Sequence, residues 1–137
     1  MYRCAFTVIS FLAFIGLAAH SAGAQQQFAK VDAKCRKSIG LAVRKLSATL
    51  LKEEAQCQKL RMQAKIDQGT DCNDPTKVPG AAKVQKAEDN LTTGTAKKCI
   101  NASSPPQNGY MVCPPPCAMA ITDYFSVGDC LKCISDV

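Results

Sequence analysis

Cys113, Cys117, Cys130 and Cys133 stand in a C-x3-C-x12-C-x2-C arrangement near the end of the chain. Residues of this type at this spacing could do three kinds of chemistry. Four thiolates in two close pairs can close a tetrahedral zinc site or hold an iron–sulfur cluster. Cys130-Leu131-Lys132-Cys133 has the C-x-x-C spacing of thiol–disulfide oxidoreductases. The same sulfurs can also form plain structural disulfides. Redox catalysis wants its first cysteine at a helix N-terminus, where the helix dipole favours the thiolate. Here the motif falls near the C-terminal end of the last expected helix, with Asp129 beside it, and both raise a thiol's pKa. A c-type haem site is excluded, because Ile134 stands where histidine is required.

Compartment decides between metal and disulfide, and the first residues address it. Met1-Tyr2-Arg3 gives a short positive start, Cys4–Ala19 is nearly continuous apolar sequence, and Ala22-Gly23-Ala24 supplies a small-x-small cleavage site. Residues 1–24 therefore read as a cleavable signal peptide rather than a membrane anchor, the apolar run falling short of the ~18–20 residues needed to span. Removal after Ala24 takes away Cys4 and leaves eight cysteines: Cys35, Cys57, Cys72, Cys99, Cys113, Cys117, Cys130 and Cys133. An even count in a secreted or periplasmic chain predicts a fully paired disulfide framework. Under that reading no metal or other cofactor is expected, with Cys113, Cys117, Cys130 and Cys133 as the alternative metal set.

The same cleavage removes His20, which is the chain's one histidine. That excludes Ser-His-Asp and Cys-His catalysis, histidine-ligated zinc and a histidine pH switch from the mature protein. An enzyme is thus the less favoured class.

The elements that must position the cysteines are helices. Residues 28–67 contain no proline, and Val31, Cys35, Ile39, Ala42, Leu46, Leu50, Cys57, Leu60 and Ala64 recur at helical spacing. Lys30, Lys34, Lys37, Lys45, Lys52 and Lys59 fall on roughly the opposite side. Residues 68–80 read as loop, and residues 81–100 resume the helical period with Val84, Ala87, Leu91, Thr95 and Cys99. Two such helices joined by one loop predict an antiparallel hairpin. After the 102–109 linker, Cys113-Pro-Pro-Pro-Cys117 cannot be helical, and Thr122-Asp123 could cap a short helix over 123–134. The expected organisation is a signal peptide (1–24), a basic helical hairpin (25–101) and a cysteine-rich tail (102–137) packed on it. The fold class is all-α.

Charge divides along the same boundary. Residues 25–101 carry +7 and residues 102–137 carry −2, within a whole-chain charge of +6. Lys45, Lys52 and Lys59 are the candidates for anion binding, for an anionic surface or another exported protein. No aromatic residue is interleaved with them, so specific nucleic-acid recognition is not expected. Glu53 falls inside the apolar stripe, where its carboxylate is expected to reach a lysine of the second helix such as Lys97. Asn90-Leu-Thr92 and Asn101-Ala-Ser103 have the form of glycosylation sequons, relevant only in a host that glycosylates its secreted proteins.

Helix geometry also gives an expectation for connectivity. If the first helix ends near Asp67 and the second begins near Ala81, Cys99 lies level with Thr49, some ~20 Å from Cys35. Cys35 and Cys99 are then too far apart to pair, since a disulfide needs Cα atoms within ~7 Å. Each would reach a tail cysteine, the other two tail cysteines would pair together, and Cys57 would close locally on Cys72.

The arrangement Lys34-Cys35-x3-Ile39, Lys45-Leu46, Cys57, Gly69-Thr70-Asp71-Cys72, Val84-Gln85-Lys86-Ala87, Leu91, Lys97-Lys98-Cys99 and Asp129-Cys130-Leu131-Lys132-Cys133 resembles a group of exported, cysteine-rich helical proteins of bacteria. The resemblance implies fold and export and brings no activity with it. The chain departs from the group in Pro114-Pro115-Pro116 and Gly94. The leading expectation is an exported, non-catalytic, disulfide-rich helical scaffold or binding protein. A thiol–disulfide redox protein and a four-cysteine metal module are the alternatives.

Overall fold

The computed structural model of the protein describes residues 29–136, so the signal-peptide expectation for residues 1–24 lies outside the described residues. Three helices organise them: α1 (Lys30–Met62), α2 (Ala81–Lys98) and α3 (Tyr124–Ser135), with a single 3-10 turn at Pro106–Asn108. Among the described residues there is no strand, only an isolated bridge between Val112 and Ala120. The all-α, disulfide-stapled hairpin expected from the periodicity is the observed fold.

α1 forms because 33 residues run without a proline, and its apolar face continues for about 50 Å at 1.5 Å per residue. It stops five residues before the expected end. The Ala64 N–H donates to the Arg61 carbonyl at 3.0 Å and the Lys65 N–H to the Leu60 carbonyl at 2.9 Å, with Ala64 in the left-handed region at φ 52°. This is a Schellman stop with alanine where glycine is usual. Gln68 then donates to the Arg61 carbonyl at 2.6 Å, and Arg61 to the Thr70 carbonyl at 3.1 Å. Both bonds hold the returning chain against the helix end.

That return sets the register of the whole molecule. The 63–80 segment doubles back along α1, closes the Cys57–Cys72 disulfide and brings Gly80 against Glu53. α2 therefore starts level with Glu53 rather than Asp67. From Glu53 down to Cys35 is eighteen residues, and from Gly80 to Cys99 nineteen. The two cysteines arrive at the same height and bond, with Cα atoms 4.9 Å apart. The expectation that Cys35 and Cys99 could not pair is overturned, together with the tail attachments inferred from it. Its helical rise was sound and its starting point was not.

α3 runs antiparallel to α2. Asp123 caps it through a reciprocal box, the Ser126 N–H donating to Asp123 Oδ1 at 2.7 Å and the Asp123 N–H to Ser126 Oγ at 3.0 Å. This is the cap expected at Thr122-Asp123, and the helix runs one residue beyond its expected end. Gly128 lets the two helices approach until a Cβ there would lie 2.6 Å from Thr92 Cα.

Buried apolar residues form three groups along the hairpin. Cys35, Ile39, Cys99, Tyr124 and Val127 fill one end. Leu46, Ala87 and Leu91 fill the middle, and Cys57, Cys72, Val78 and Val84 the loop end. These residues are small for a core, and a disulfide lies inside each end group, where cross-linking supplements limited apolar burial.

Candidate functional site

The four tail cysteines are consumed in two separate bonds. Cys113 pairs with Cys130 and Cys117 with Cys133, at Cα separations of 5.7 and 5.9 Å. The C-x-x-C cysteines are thus bonded not to each other but to the proline turn opposite them. Cys130 and Cys133 lie one helical turn apart on α3, and Cys113 and Cys117 flank the three prolines, so the two bonds lie side by side. The expectation that two tail cysteines reach Cys35 and Cys99 while the remaining two pair is corrected here. With α1 and α2 already closed by Cys35–Cys99, the tail can only staple itself. Among the described residues no cluster of histidine, cysteine or carboxylate side chains is arranged to hold a metal ion, and the four sulfurs of the alternative metal set are in disulfides.

Three buried carboxylates remain as groups with chemical potential, and each is tied to a neighbouring element. Asp32, 6% exposed, accepts from the Ser103 N–H (2.7 Å), the Ser103 hydroxyl (2.8 Å) and Asn108 Nδ2 (3.1 Å). The backbone bond from Ser103, with those of Asn108 and the Ser103 hydroxyl, holds its carboxyl below the usual carboxylate range. Tyr124 completes the knot by donating to the Ser103 carbonyl at 2.6 Å and accepting from Asn108. Burial pushes the Tyr124 hydroxyl's pKa up. Together these groups pin the linker and α3 to the first turn of α1.

Glu53, 2% exposed, accepts from Lys83 Nζ at 3.0 Å, so its expected partner Lys97 is replaced by a lysine fourteen residues earlier. Its carboxylate also lies at the start of α2, where the positive end of the helix dipole favours it. Glu88 pairs with Lys132 of α3 at 2.9 Å, and the hydrogen bond from Glu88 raises the Lys132 pKa. Thr92 donates to Asp129 at 3.2 Å one turn further along. Sequence reasoning missed Asp32 and Glu88 as buried groups. The signal was present in part, since Asp32 sits one turn before Cys35 and Glu88 one residue after Ala87, at the edges of the apolar stripes.

The lysines separate. Lys45 and Lys52 line one wall of an open groove of about 240 Å³ between α1 and α2, and Lys83 and Lys86 line the other. Thr49 of α1 and Asn90 of α2 also line the groove, together with the buried Glu53 and Ala87. Lys59 does not join this groove. It lies beyond the level at which α2 begins, so nothing from α2 stands opposite it. Lys83 is engaged by Glu53, whereas Lys45, Lys52 and Lys86 are exposed and have no ion-pair partner among the described residues.

The sequon asparagines Asn90 and Asn101 are both exposed, but Ser103 and Thr92, which complete the two sequons, are engaged by Asp32 and Asp129. No helix among the described residues is long and apolar enough to cross a membrane. No protein-family model, curated protein or solved structure matches this chain.

Proposed function

We propose that the protein is exported and acts as a non-catalytic, disulfide-stapled scaffold that presents a binding surface. The observation that carries this reading is the pairing of all eight cysteines among the described residues in four bonds, with Cys130 and Cys133 in different ones. A thiol–disulfide catalyst cycles one C-x-x-C between dithiol and disulfide. Here two cross-links would have to open at once to free that pair. The buried carboxylates support the same reading, since Asp32, Glu53 and Glu88 each join one element to another. Export agrees with the disulfides, which persist in oxidising compartments, and with the likeness to exported cysteine-rich helical proteins of bacteria.

Expression of the full chain in a bacterium, followed by fractionation and intact-mass measurement, tests both halves. The expected product lies outside the cytoplasm, begins at Gln25 and takes up no alkylating reagent until it is reduced. A product retained in the cytoplasm with its first 24 residues overturns export. Two alkylated thiols without reduction overturn the scaffold reading.

A further inference from the structure

The groove between α1 and α2 has a chemistry that the disulfide framework does not need. Lys45 and Lys52 are seven residues apart, two turns or about 10 Å of helix. Lys86 faces them from α2, and the antiparallel register puts it between them in height. Three ammonium groups without carboxylate partners thus border one groove. The one carboxylate in its lining, Glu53, is already matched by Lys83. Glu88 and Asp89, the acidic residues nearest in sequence to Lys86, are held by Lys132 at 2.9 Å and by Gln85 at 3.0 Å. The groove also carries neutral hydrogen-bonding groups. The Asn90 amide has no partner among the described residues, and the Thr49 hydroxyl, which donates to the Lys45 carbonyl, keeps its acceptor capacity.

We infer that this groove binds a linear acidic polysaccharide, its carboxylate or sulfate groups meeting Lys45, Lys52 and Lys86 and its hydroxyls meeting Asn90 and Thr49. The inference rests on the binding-scaffold reading and names the partner of that scaffold. Charge complementarity selects a polyanion, and the remaining lining selects among polyanions. Single-stranded nucleic acid gains much of its affinity from aromatic stacking, and no aromatic side chain lines the groove. Membrane surfaces and protein partners are anchored by exposed apolar or aromatic side chains, and the groove's apolar lining residue, Ala87, is buried. A polyhydroxylated chain with spaced anions needs point charges and amide or hydroxyl groups in a concave strip. The groove supplies those.

The test uses the purified disulfide-bonded protein and, as probes, polygalacturonate, dextran sulfate, neutral dextran, poly(dT) and phosphatidylglycerol vesicles. The groove variant K45Q/K52Q/K86Q is compared with K30Q/K65Q/K98Q, which removes the same charge elsewhere. All six lysines are exposed, and an unchanged alkylation pattern and melting temperature verify that both variants fold. The expected result is binding to one or both acidic polysaccharides and not to neutral dextran. The groove variant should weaken it about tenfold or more and the control variant less than threefold, the sum expected of three exposed charge contacts. Equal weakening by both variants, no binding to either acidic polysaccharide at low salt, or tighter groove-dependent binding to poly(dT) or vesicles overturns the inference. Those outcomes leave the scaffold reading standing, which fails instead on free thiols.

Discussion

Gly80 packs against the side chain of Glu53 so closely that a methyl group on Gly80 would overlap the Glu53 carboxylate. This contact fixes where α2 starts along α1 and therefore which residues of the hairpin meet. Its backbone φ of −98° is open to any residue, so glycine is needed here for space alone.

Gly80→Ala should therefore destabilise the protein by about 1–3 kcal/mol through overpacking against a buried, ion-paired side chain. The cost should shrink in a Glu53→Ala background, where the obstructing carboxylate is gone. Urea denaturation of the two single variants and the double variant checks this. Additive losses would show that the contact does not carry the effect.

The second close approach is between backbones. A Cβ on Gly128 meets Thr92 Cα, which cannot rotate away, so Gly128→Ala should push α3 off α2 and cost about 1–3 kcal/mol. Gly94 lies in α2 with nothing within 4 Å of its ideal Cβ. Gly94→Ala should instead stabilise the protein by about 0.5–1 kcal/mol through helix propensity. Opposite shifts of melting temperature are the expected readout.

At the end of α1, Ala64 occupies a left-handed conformation that costs a non-glycine residue about 1–2 kcal/mol. Ala64→Gly should raise stability by about 1 kcal/mol, the relief being partly offset by the greater freedom of glycine in the unfolded chain. Unchanged or lower stability would mean that the helix does not end in this turn.

Asp32 makes stability depend on acid. Its carboxyl resists protonation in the folded protein because Ser103 and Asn108 donate to it, whereas in the unfolded chain it protonates near the ordinary value of 3.8. Its contribution is complete above about pH 5 and is lost as pH falls below that ordinary value and through the lowered folded one. Asp32→Asn should be less stable than wild type near neutrality, and the gap should narrow as pH falls from about 5 through the ordinary carboxylate value and below it. A gap that stays constant over that range would remove the charge from the account. Asp74, lowered to about 2 by Lys77, and Asp123, lowered by Ser126, add acid sensitivity of the same sign in both proteins. The comparison between variants cancels them.

The helices, their faces, the Asp123 cap and the local Cys57–Cys72 closure were legible in the sequence because each is a short-range pattern. Register was not. Placing α2 opposite Asp67 moved Cys99 from Cys35 to Thr49 and the partner of Glu53 from Lys83 to Lys97, a displacement of fourteen residues in both cases. One misplaced turn produced both errors. The stop at Ala64 carries no glycine or proline to announce it. The fold-back of residues 63–80 depends on Cys57–Cys72, Arg61 and Gln68 acting together. The groove was half legible for the same reason. Lys45 and Lys52 stand out on one helix face, but Lys86 and Asn90 join them, and Lys59 drops out, only once the register is known.

Disulfide mapping tests the central claim most directly, namely that each of the eight cysteines among the described residues serves the framework and none of them is kept for chemistry. Under non-reducing conditions, cleavage with trypsin and chymotrypsin separates Cys35, Cys99, the Cys113–Cys117 segment, Cys130 and Cys133 onto different peptides. The account predicts a Cys35-to-Cys99 linked species, a Cys57-to-Cys72 species, and a Cys113–Cys117 peptide bonded to both the Cys130 and the Cys133 peptides. A Cys130–Cys133 bond, a Cys35 peptide attached to the tail, or free thiols at the C-x-x-C would contradict it.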